Sequence, residues 1–225
     1  MPIPQIDADI ARTTAKERIY KTIQEWVVYG TLLPGERLND MELANFFHVS
    51  RTPVREALQM LAEEKLLNVI PSSGTYVAGI NMDDMMHVYF LLGELQGVAL
   101  DLCLDTLDET DIAGLEKINR AFLNSSSDHE IVDIVAADRK FHHRIAELSQ
   151  NPYLINFTDQ LLLHSCRNEI RFFTFEHTAE ESYQTHCQII AAIRSRNLEQ
   201  VKALLKSNWI DSLEKQMQLS NQAAT

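Results

Sequence analysis

The chain of 225 residues is long enough for one large or two modest domains, and its 45% hydrophobic content is ordinary for a globular protein. Its net charge of −12 excludes attraction of nucleic acid by overall positive charge. The charge is uneven: residues 1–78 carry 8 basic and 10 acidic residues, hence −2, and the remainder carries 12 and 22, hence −10. Any binding of nucleic acid would therefore depend on local contacts and on dimerisation, not on overall charge.

The sequence lacks the usual signs of secretion or membrane insertion. No apolar run approaches the roughly 20 residues of a spanning helix, and the first 15 residues lack the apolar core of a signal peptide. Cys103, Cys166 and Cys187 are scattered without a metal-binding spacing, which favours free thiols in a reducing compartment. We therefore expect a cytoplasmic protein with no membrane partner.

The first 61 residues predict a short helical unit after a flexible arm at residues 1–14. Apolar positions at helical spacing predict a helix over residues 15–29, which Gly30 ends. Two further short helices, at residues 40–49 and 49–61, are separated only by a tight turn. This arrangement is typical of a helix-turn-helix.

The second of these helices begins with residues suited to DNA. Ser50 or Thr52 could cap it, and Pro53 fits its first turn. Arg51 and Arg55 are four residues apart and lie off the apolar stripe, so their guanidinium groups could read guanine edges in the major groove. An ordinary helical hairpin with a solvated arginine pair fits the same spacing.

Two short β-branched or aromatic runs, at residues 68–70 and 75–77, flank the turn residues 71–74 and predict a hairpin. Beside a helix-turn-helix, such a hairpin is a wing. The following residues, 80–84, form a linker and the start of a helix, so the sequence divides into domains at 1–79 and 80–225.

The second domain predicts an all-helical structure, because it has no β-alternating run and Pro152 is its only proline. The fold class is thus mainly α, a winged helix-turn-helix followed by an all-α antiparallel helical bundle. The predicted helices of the bundle cover residues 83–106, 108–124, 129–149, 153–175, 180–195 and 198–219.

Polar residues interrupt the apolar stripes of three of these helices. Asp138 and His142 are one turn apart, His186 lies among isoleucines, and Asn208 lies among aliphatic residues. A zinc, nickel or manganese ion would satisfy Asp138, His142 and His186 together. A buried Asp–His hydrogen bond with an unrelated core histidine is the alternative.

The motifs closely resemble those of GntR-family transcription regulators. The resemblance of the winged helix-turn-helix rests on residues 42–44, 49–58 and 74–77. The second domain resembles the FCD-type ligand-binding domain of the FadR-like branch, through residues 138–142, 149–154, 186 and 189–193.

The resemblance implies a ligand-responsive bacterial transcription regulator that binds double-stranded DNA as a homodimer on a roughly palindromic operator. Repression relieved by a small-molecule effector is the commoner arrangement in the family. The arginines would read bases, the hydroxyl residues would meet phosphates, and the wing tip would approach the backbone or minor groove. The implied DNA contacts are Ser50, Arg51, Thr52, Arg55, Ser73 and Gly74.

Relatives often bind a metal through an Asp, the His four residues later and two further His. Asp138, His142 and His186 match the first three of these ligands. By spacing, the fourth position is Asn208, whose amide oxygen is a weaker ligand than imidazole. The resemblance therefore implies a metal site with one altered ligand.

A second departure concerns the effector. Relatives that sense small carboxylates often carry an arginine and, four residues later, a glutamate, where this chain has Leu92 and Gln96. This argues against a simple organic acid as effector. Arg167 and Arg171 could replace the lost charge, or they form a solvated or dimer-interface pair. Gln96, Arg167 and Arg171 are thus the candidates for an effector pocket.

Two other functions fit parts of the sequence. An Asp/His-ligated metal could activate water in a metalloenzyme, but no glutamate base is placed by spacing and no G-x-S-x-G motif occurs. We therefore expect no enzymatic activity. A dimeric interaction module that no longer binds DNA is the other alternative, and the intact run at residues 50–58 speaks against it.

Overall fold

The computed structural model describes residues 14–125, 131–172 and 179–223, with the side chains of 171–172 and 219–223 outside the description. The chain divides into two compact units, Met1–Gly79 and Ile80–Thr225. The arm predicted at residues 1–14 lies almost entirely outside the described residues.

The first unit combines three helices with a three-stranded antiparallel sheet, in which β3 lies between β1 and β2. Thr14 and Glu17 form a capping box at the start of α1, and Asn39 caps α2. The elements are α1 Ala15–Val28, β1 Arg37–Leu38, α2 Asp40–Phe47, α3 Arg51–Glu63, β2 Leu67–Ile70 and β3 Gly74–Val77.

The core of this unit forms where α1 packs against α3. Ile19 and Ile23 of α1 and Val54 and Leu61 of α3 are fully buried, as the helical spacing of these residues predicts. Val77 of β3 joins the same core. The predicted winged helix-turn-helix is confirmed.

Two local features of this unit differ from the sequence analysis. Ser50 is the N-cap residue of α3, but its side chain makes no capping hydrogen bond. The strand β1, Arg37–Leu38, was missed because two residues are too short for a periodic pattern. Its pairing with β3 places Arg37 opposite Tyr76, so the wing is a sheet of three strands and not a lone hairpin.

The second unit is a helical bundle, which confirms the predicted fold class. Its helices begin and end within a few residues of the predicted bounds, although the predicted start at 129 and the predicted end at 175 lie outside the described residues. They are α4 Met82–Cys103, α5 Glu109–Ser125, α6 Ile131–Leu148, α7 Pro152–Phe172, α8 Ala179–Arg194 and α9 Leu198–Ala223, with a 3-10 turn at Leu104–Thr106.

The bundle packs around α4, which contacts α6, α7 and α9. Leu100 of α4, Phe141 of α6, Ile189 of α8 and Leu205 of α9 are fully buried in one core cluster. Each of these residues lies on the apolar stripe of its own helix, so amphipathic periodicity accounts for the packing.

The stretch Met82–Thr106 is the one part of the described chain that is long and apolar enough to cross a membrane, with a mean hydropathy of 1.2. In the structure, 56% of its apolar window is buried inside the bundle. Tyr89, Leu92 and Leu100 are among its fully buried side chains. The apolar character of α4 is therefore explained by its central place in the bundle.

Candidate DNA-binding surface and buried ligand site

The helix α3 presents two arginines on the face opposite its buried stripe. Arg51 and Arg55 have side chains 51% and 63% exposed. Ser50 and Thr52 are also exposed at the N-terminus of this helix. The helix dipole and the unpaired N–H groups of the first turn favour an anion such as phosphate at this end. The four predicted contact residues of α3 thus lie on one accessible surface.

Both arginines bind the same carboxylate, Asp40 at the start of α2. Arg51 Nη2 lies 2.8 Å from each oxygen of Asp40, and Arg55 Nε lies 2.6 Å from Asp40 Oδ2. These hydrogen bonds hold the pKa of Asp40 below its ordinary value of 3.8. The carboxylate is therefore ionised at neutral pH and holds the two guanidinium groups side by side.

The wing adds a second basic group that the sequence did not indicate. Gly74 has a φ of +138°, and a Cβ at this position would lie 2.9 Å from Arg37 Nε. Ser73, at the wing tip, has its Oγ 2.9 Å from the hydroxyl of Tyr76. Arg37 is exposed beside this tip. Only the pairing of β1 with β3 brings it there, so no sequence motif could have identified it.

In the bundle, the predicted polar residues come together as expected. Asp138, His142 and His186 each offer a ligand atom within 4.8 Å of the other two. His142 Nε2 lies 3.6 Å from Asp138 Oδ2, and His186 Nε2 lies 3.4 Å from Asp138 Oδ1. All three side chains are buried. Whether the cluster holds a metal stays a prediction.

Burial sets the protonation of this cluster. It raises the pKa of Asp138 to about 7 and lowers the pKa of His142 to about 3. It also lowers the pKa of His186 well below 6.5, and the proximity of His142 adds to this shift. Both imidazoles are therefore neutral at physiological pH.

His142 is surrounded by polar groups from two other helices. Gln96 of α4 places its side-chain nitrogen 3.2 Å from His142 Nδ1. Trp209 Nε1 donates to Gln96 Oε1 at 2.9 Å. On the other side of the ring, Asn208 Nδ2 lies 3.4 Å from His142 Nε2. Gln96, a candidate effector residue, therefore contacts the cluster directly.

His186 is held by Asn119 of α5, a residue that the sequence did not single out. Asn119 Nδ2 donates to the backbone carbonyl of Tyr183 at 3.2 Å, and Asn119 Oδ1 lies 3.0 Å from His186 Nδ1. Nδ1 therefore donates a proton to Asn119. His186 Nε2 is buried without a hydrogen-bond partner and faces Asp138.

The fit of these residues to a divalent transition metal is uneven. Asp138 offers a carboxylate, and the orphaned Nε2 of His186 offers a lone pair with its other nitrogen held by Asn119, as metal-binding histidines usually are. Asn208 offers an amide oxygen at best. His142 fits only in the tautomer that leaves Nε2 unprotonated.

A cavity of about 170 Å³ opens beside the cluster. Glu169 on its wall is 5% exposed. Burial, with a contribution from Asp138, raises the pKa of Glu169 well above 4.5. The polar lining includes Asp138, Glu169, Thr185, Ser207, Asn208 and Ser212.

The two other candidate effector residues, Arg167 and Arg171, lie on α7. Arg167 is 6% exposed, which excludes the solvated alternative for this residue and leaves the effector-pocket and dimer-interface alternatives as predictions; burial lowers its pKa to about 10. It is not among the described residues that line the cavity. Arg171 lies on α7, but its side chain is outside the described part of the chain.

Comparison with known proteins identifies both units. The family described as "Bacterial regulatory proteins, gntR family" matches residues 15–77, and the family described as "FCD domain" matches residues 87–209. The chain belongs to the GntR family. The resemblance inferred from the motifs is thereby confirmed.

Relatives of this GntR regulator extend along both units. It is 31% identical over 191 residues to the HTH-type transcriptional regulator YdhC of Bacillus subtilis, with 82% of this chain and 83% of that protein covered. It is 23% identical over 188 residues to the HTH-type transcriptional repressor RspR of Escherichia coli, with 83% and 82% covered.

A solved structure shares the fold. E. coli McbR/YncC superimposes with a TM-score of 0.80 at 22% identity, covering 93% of this chain and 100% of that one. The two families and the named relatives are transcription regulators, so the expectation that the chain is not an enzyme is confirmed.

Proposed function

We propose that this GntR regulator is a cytoplasmic repressor that binds a palindromic operator as a homodimer and releases it when a small molecule binds the bundle. The observation that carries the proposal is the pair of exposed arginines, Arg51 and Arg55, at the start of α3. The name of its relative RspR, a transcriptional repressor, supports the sign of regulation.

In this proposal the start of α3 enters the major groove. Arg51 and Arg55 read guanine edges, which accept two hydrogen bonds from one guanidinium group. Ser50 and Thr52 contact phosphates together with the helix N-terminus. Ser73 at the wing tip contacts the backbone or minor groove, and Gly74 keeps this tip free of a Cβ.

Replacing Arg55 by Ala tests the assignment of the reading residue. We expect a loss of about 1–3 kcal/mol of specific binding free energy, since a bidentate base contact is removed. Arg55 lies off the buried stripe, so the melting temperature should be unchanged. Fluorescence anisotropy on an operator obtained by selection from random DNA measures the loss.

The matched control is Arg18→Ala, which removes the same charge from an exposed position on α1. It should leave specific affinity within a factor of about two, because its only effect is on weak long-range attraction. Specific affinity that survives in Arg55→Ala, or falls equally in both variants, would show that Arg55 does not read the operator.

For the homodimer we propose an interface on α4. Apolar side chains on its outer face are 44–56% exposed, which is unusual for so many large residues on one helix. Tyr153 of α7 is also exposed, and its neighbour Leu154 packs in one cluster with Ala99 of α4. A second copy would cover this surface. The face consists of Met86, Phe90, Leu91, Val98 and Leu102.

The effector would occupy the cavity beside the buried cluster. Its inner wall carries the carboxyl groups of Asp138 and Glu169, and Leu92 is a buried core residue where relatives often place an arginine. These groups favour a ligand that donates hydrogen bonds over a simple carboxylate. Thermal-shift measurements with amines, polyols and dicarboxylates test this, and stabilisation by the dicarboxylates alone would contradict it.

A further inference from the structure

The orientation of the Gln96 side-chain amide is fixed by two neighbours, each with a single hydrogen-bonding role. The indole N–H of Trp209 can only donate, and it lies 2.9 Å from Gln96 Oε1. The backbone carbonyl of His142 can only accept, and it lies 3.1 Å from Gln96 Nε2. Turning the amide over would set donor against donor and acceptor against acceptor. Gln96 therefore presents its NH2 group to His142.

This NH2 group also determines which nitrogen of His142 carries the proton. Gln96 Nε2 lies 3.2 Å from His142 Nδ1, and it has one proton for the carbonyl and one for the ring. Nδ1 must therefore accept a hydrogen bond. A neutral imidazole that accepts at Nδ1 carries its proton on Nε2. Asp138 Oδ2 lies 3.6 Å from that Nε2, and the side-chain amide of Asn208 lies 3.4 Å from it, so this tautomer requires Asn208 to turn its oxygen, not its nitrogen, towards the N–H.

His186 has the opposite tautomer. The carbonyl of Tyr183 fixes the amide of Asn119, so Asn119 Oδ1 accepts the proton of His186 Nδ1. The lone pair of His186 is then on Nε2, which faces Asp138. The two imidazoles of the cluster therefore have opposite tautomers. Only His186 directs a nitrogen lone pair towards Asp138.

We propose that Gln96, held by Trp209, keeps His142 in the tautomer that cannot bind a metal, so that this cluster is a hydrogen-bonded pocket wall and not a transition-metal centre. A metal at His142 Nε2 needs a lone pair there and an acceptor for a proton on Nδ1. Gln96 supplies a donor instead. Asn208 provides no imidazole to compensate. The proposal is independent of DNA binding.

The tautomers can be measured directly in the unmodified protein. Long-range proton–nitrogen NMR spectra of protein labelled with nitrogen-15 histidine distinguish a protonated ring nitrogen from one with a lone pair. We expect Nε2 of His142 and Nδ1 of His186 to be protonated near pH 7, with His142→Asn and His186→Asn used only to assign the signals. A proton on Nδ1 of His142 would overturn the proposal.

Two substitutions should create the metal site. Asn208→His supplies a third imidazole, and Gln96→Glu replaces the donor at His142 Nδ1 by an acceptor. Calorimetric titration with Zn²⁺ and with Ni²⁺ should show weak binding to the unmodified protein. The double variant should bind about 10- to 100-fold more tightly than Asn208→His alone, the usual range for a second-shell partner.

Gln188→Glu is the matched control, because Gln188 lines the same cavity but is exposed, and the substitution adds the same negative charge. We expect it to change metal affinity less than about threefold, since it supplies no acceptor to His142. Tight stoichiometric metal binding by the unmodified protein would contradict the proposal, as would equal effects of Gln96→Glu and Gln188→Glu. If the double variant does not fold, the NMR measurement decides.

Discussion

At the scale of single residues, Asp40 would both prepare and oppose the proposed binding of DNA. Its carboxylate orients Arg51 and Arg55 side by side, but the same hydrogen bonds must be exchanged for contacts to DNA. The pKa of Asp40 is lowered by these hydrogen bonds. The ion pairs with the two arginines are therefore fully formed above pH 3.8, the ordinary pKa of an aspartate, and are lost only as the pH falls through the lowered pKa of Asp40. The pairs are thus intact throughout the physiological range.

Replacing Asp40 by Asn should raise affinity for DNA of random sequence while lowering the preference for the operator. The substitution removes the carboxylate that competes with DNA for Arg51 and Arg55, and each of these exposed ion pairs contributes about 0.2–1 kcal/mol. It also removes the group that orients the two guanidinium groups. Anisotropy titrations with operator and random duplexes, at two salt concentrations, measure both affinities. Equal weakening on both duplexes would mean that Asp40 serves only the stability of the fold.

The residues of the buried cluster show how far sequence reasoning reaches at this scale. Asp138, His142 and His186 were predicted together because each interrupts an apolar stripe, and a stripe identifies the buried face of a helix. The role of Gln96 was not predictable, because its amide is oriented by Trp209, 113 residues later in the chain. Asn119 was missed for the same reason: its partner is on another helix.

At the scale of elements, α4 has two apolar faces, one buried and one exposed. One face is buried in the bundle through residues such as Leu92 and Leu100. The other remains exposed, and Phe90, with 56% of its surface accessible, lies near its centre. Periodicity predicted the helix correctly. Because the helix is apolar on both sides, however, the sequence does not show which side packs in its own bundle and which side would contact the second copy in the proposed dimer.

A charge on the exposed face of α4 should therefore disrupt the dimer. We expect Phe90→Asp to raise the dissociation constant by at least tenfold, because burying a phenylalanine side chain contributes about 1.5–3 kcal/mol and a carboxylate opposes burial. Sedimentation velocity at several concentrations measures the change. Circular dichroism should show unchanged helix content.

Ala113→Asp, at an exposed position of α5, adds the same charge away from the proposed interface and should leave the association unchanged. If the Phe90→Asp variant is dimeric at the same concentrations as the unmodified protein, the interface does not include this face of α4. Weakened dimers should also lose operator affinity, since two recognition helices bind one palindrome.

At the scale of the whole molecule, the distribution of charge explains why DNA binding must be local. Residues 1–78 carry a net −2 and the remainder −10, so phosphates are not attracted from a distance. In the proposed function, affinity depends on a few arginines of α3 and the wing and on the duplication of that surface in a dimer. The acidic bundle adds negative charge and therefore no long-range attraction to DNA.

The measurement that tests this account most directly is selection of binding sites from random double-stranded DNA by the full-length protein. The account predicts enrichment of a palindromic motif with guanines in each half-site, the half-sites lying about 10 base pairs apart or a multiple of this. The same selection with Arg55→Ala should lose those guanines. Failure to enrich any motif, or a motif without two-fold symmetry, would contradict the proposed reading of DNA by two copies of α3.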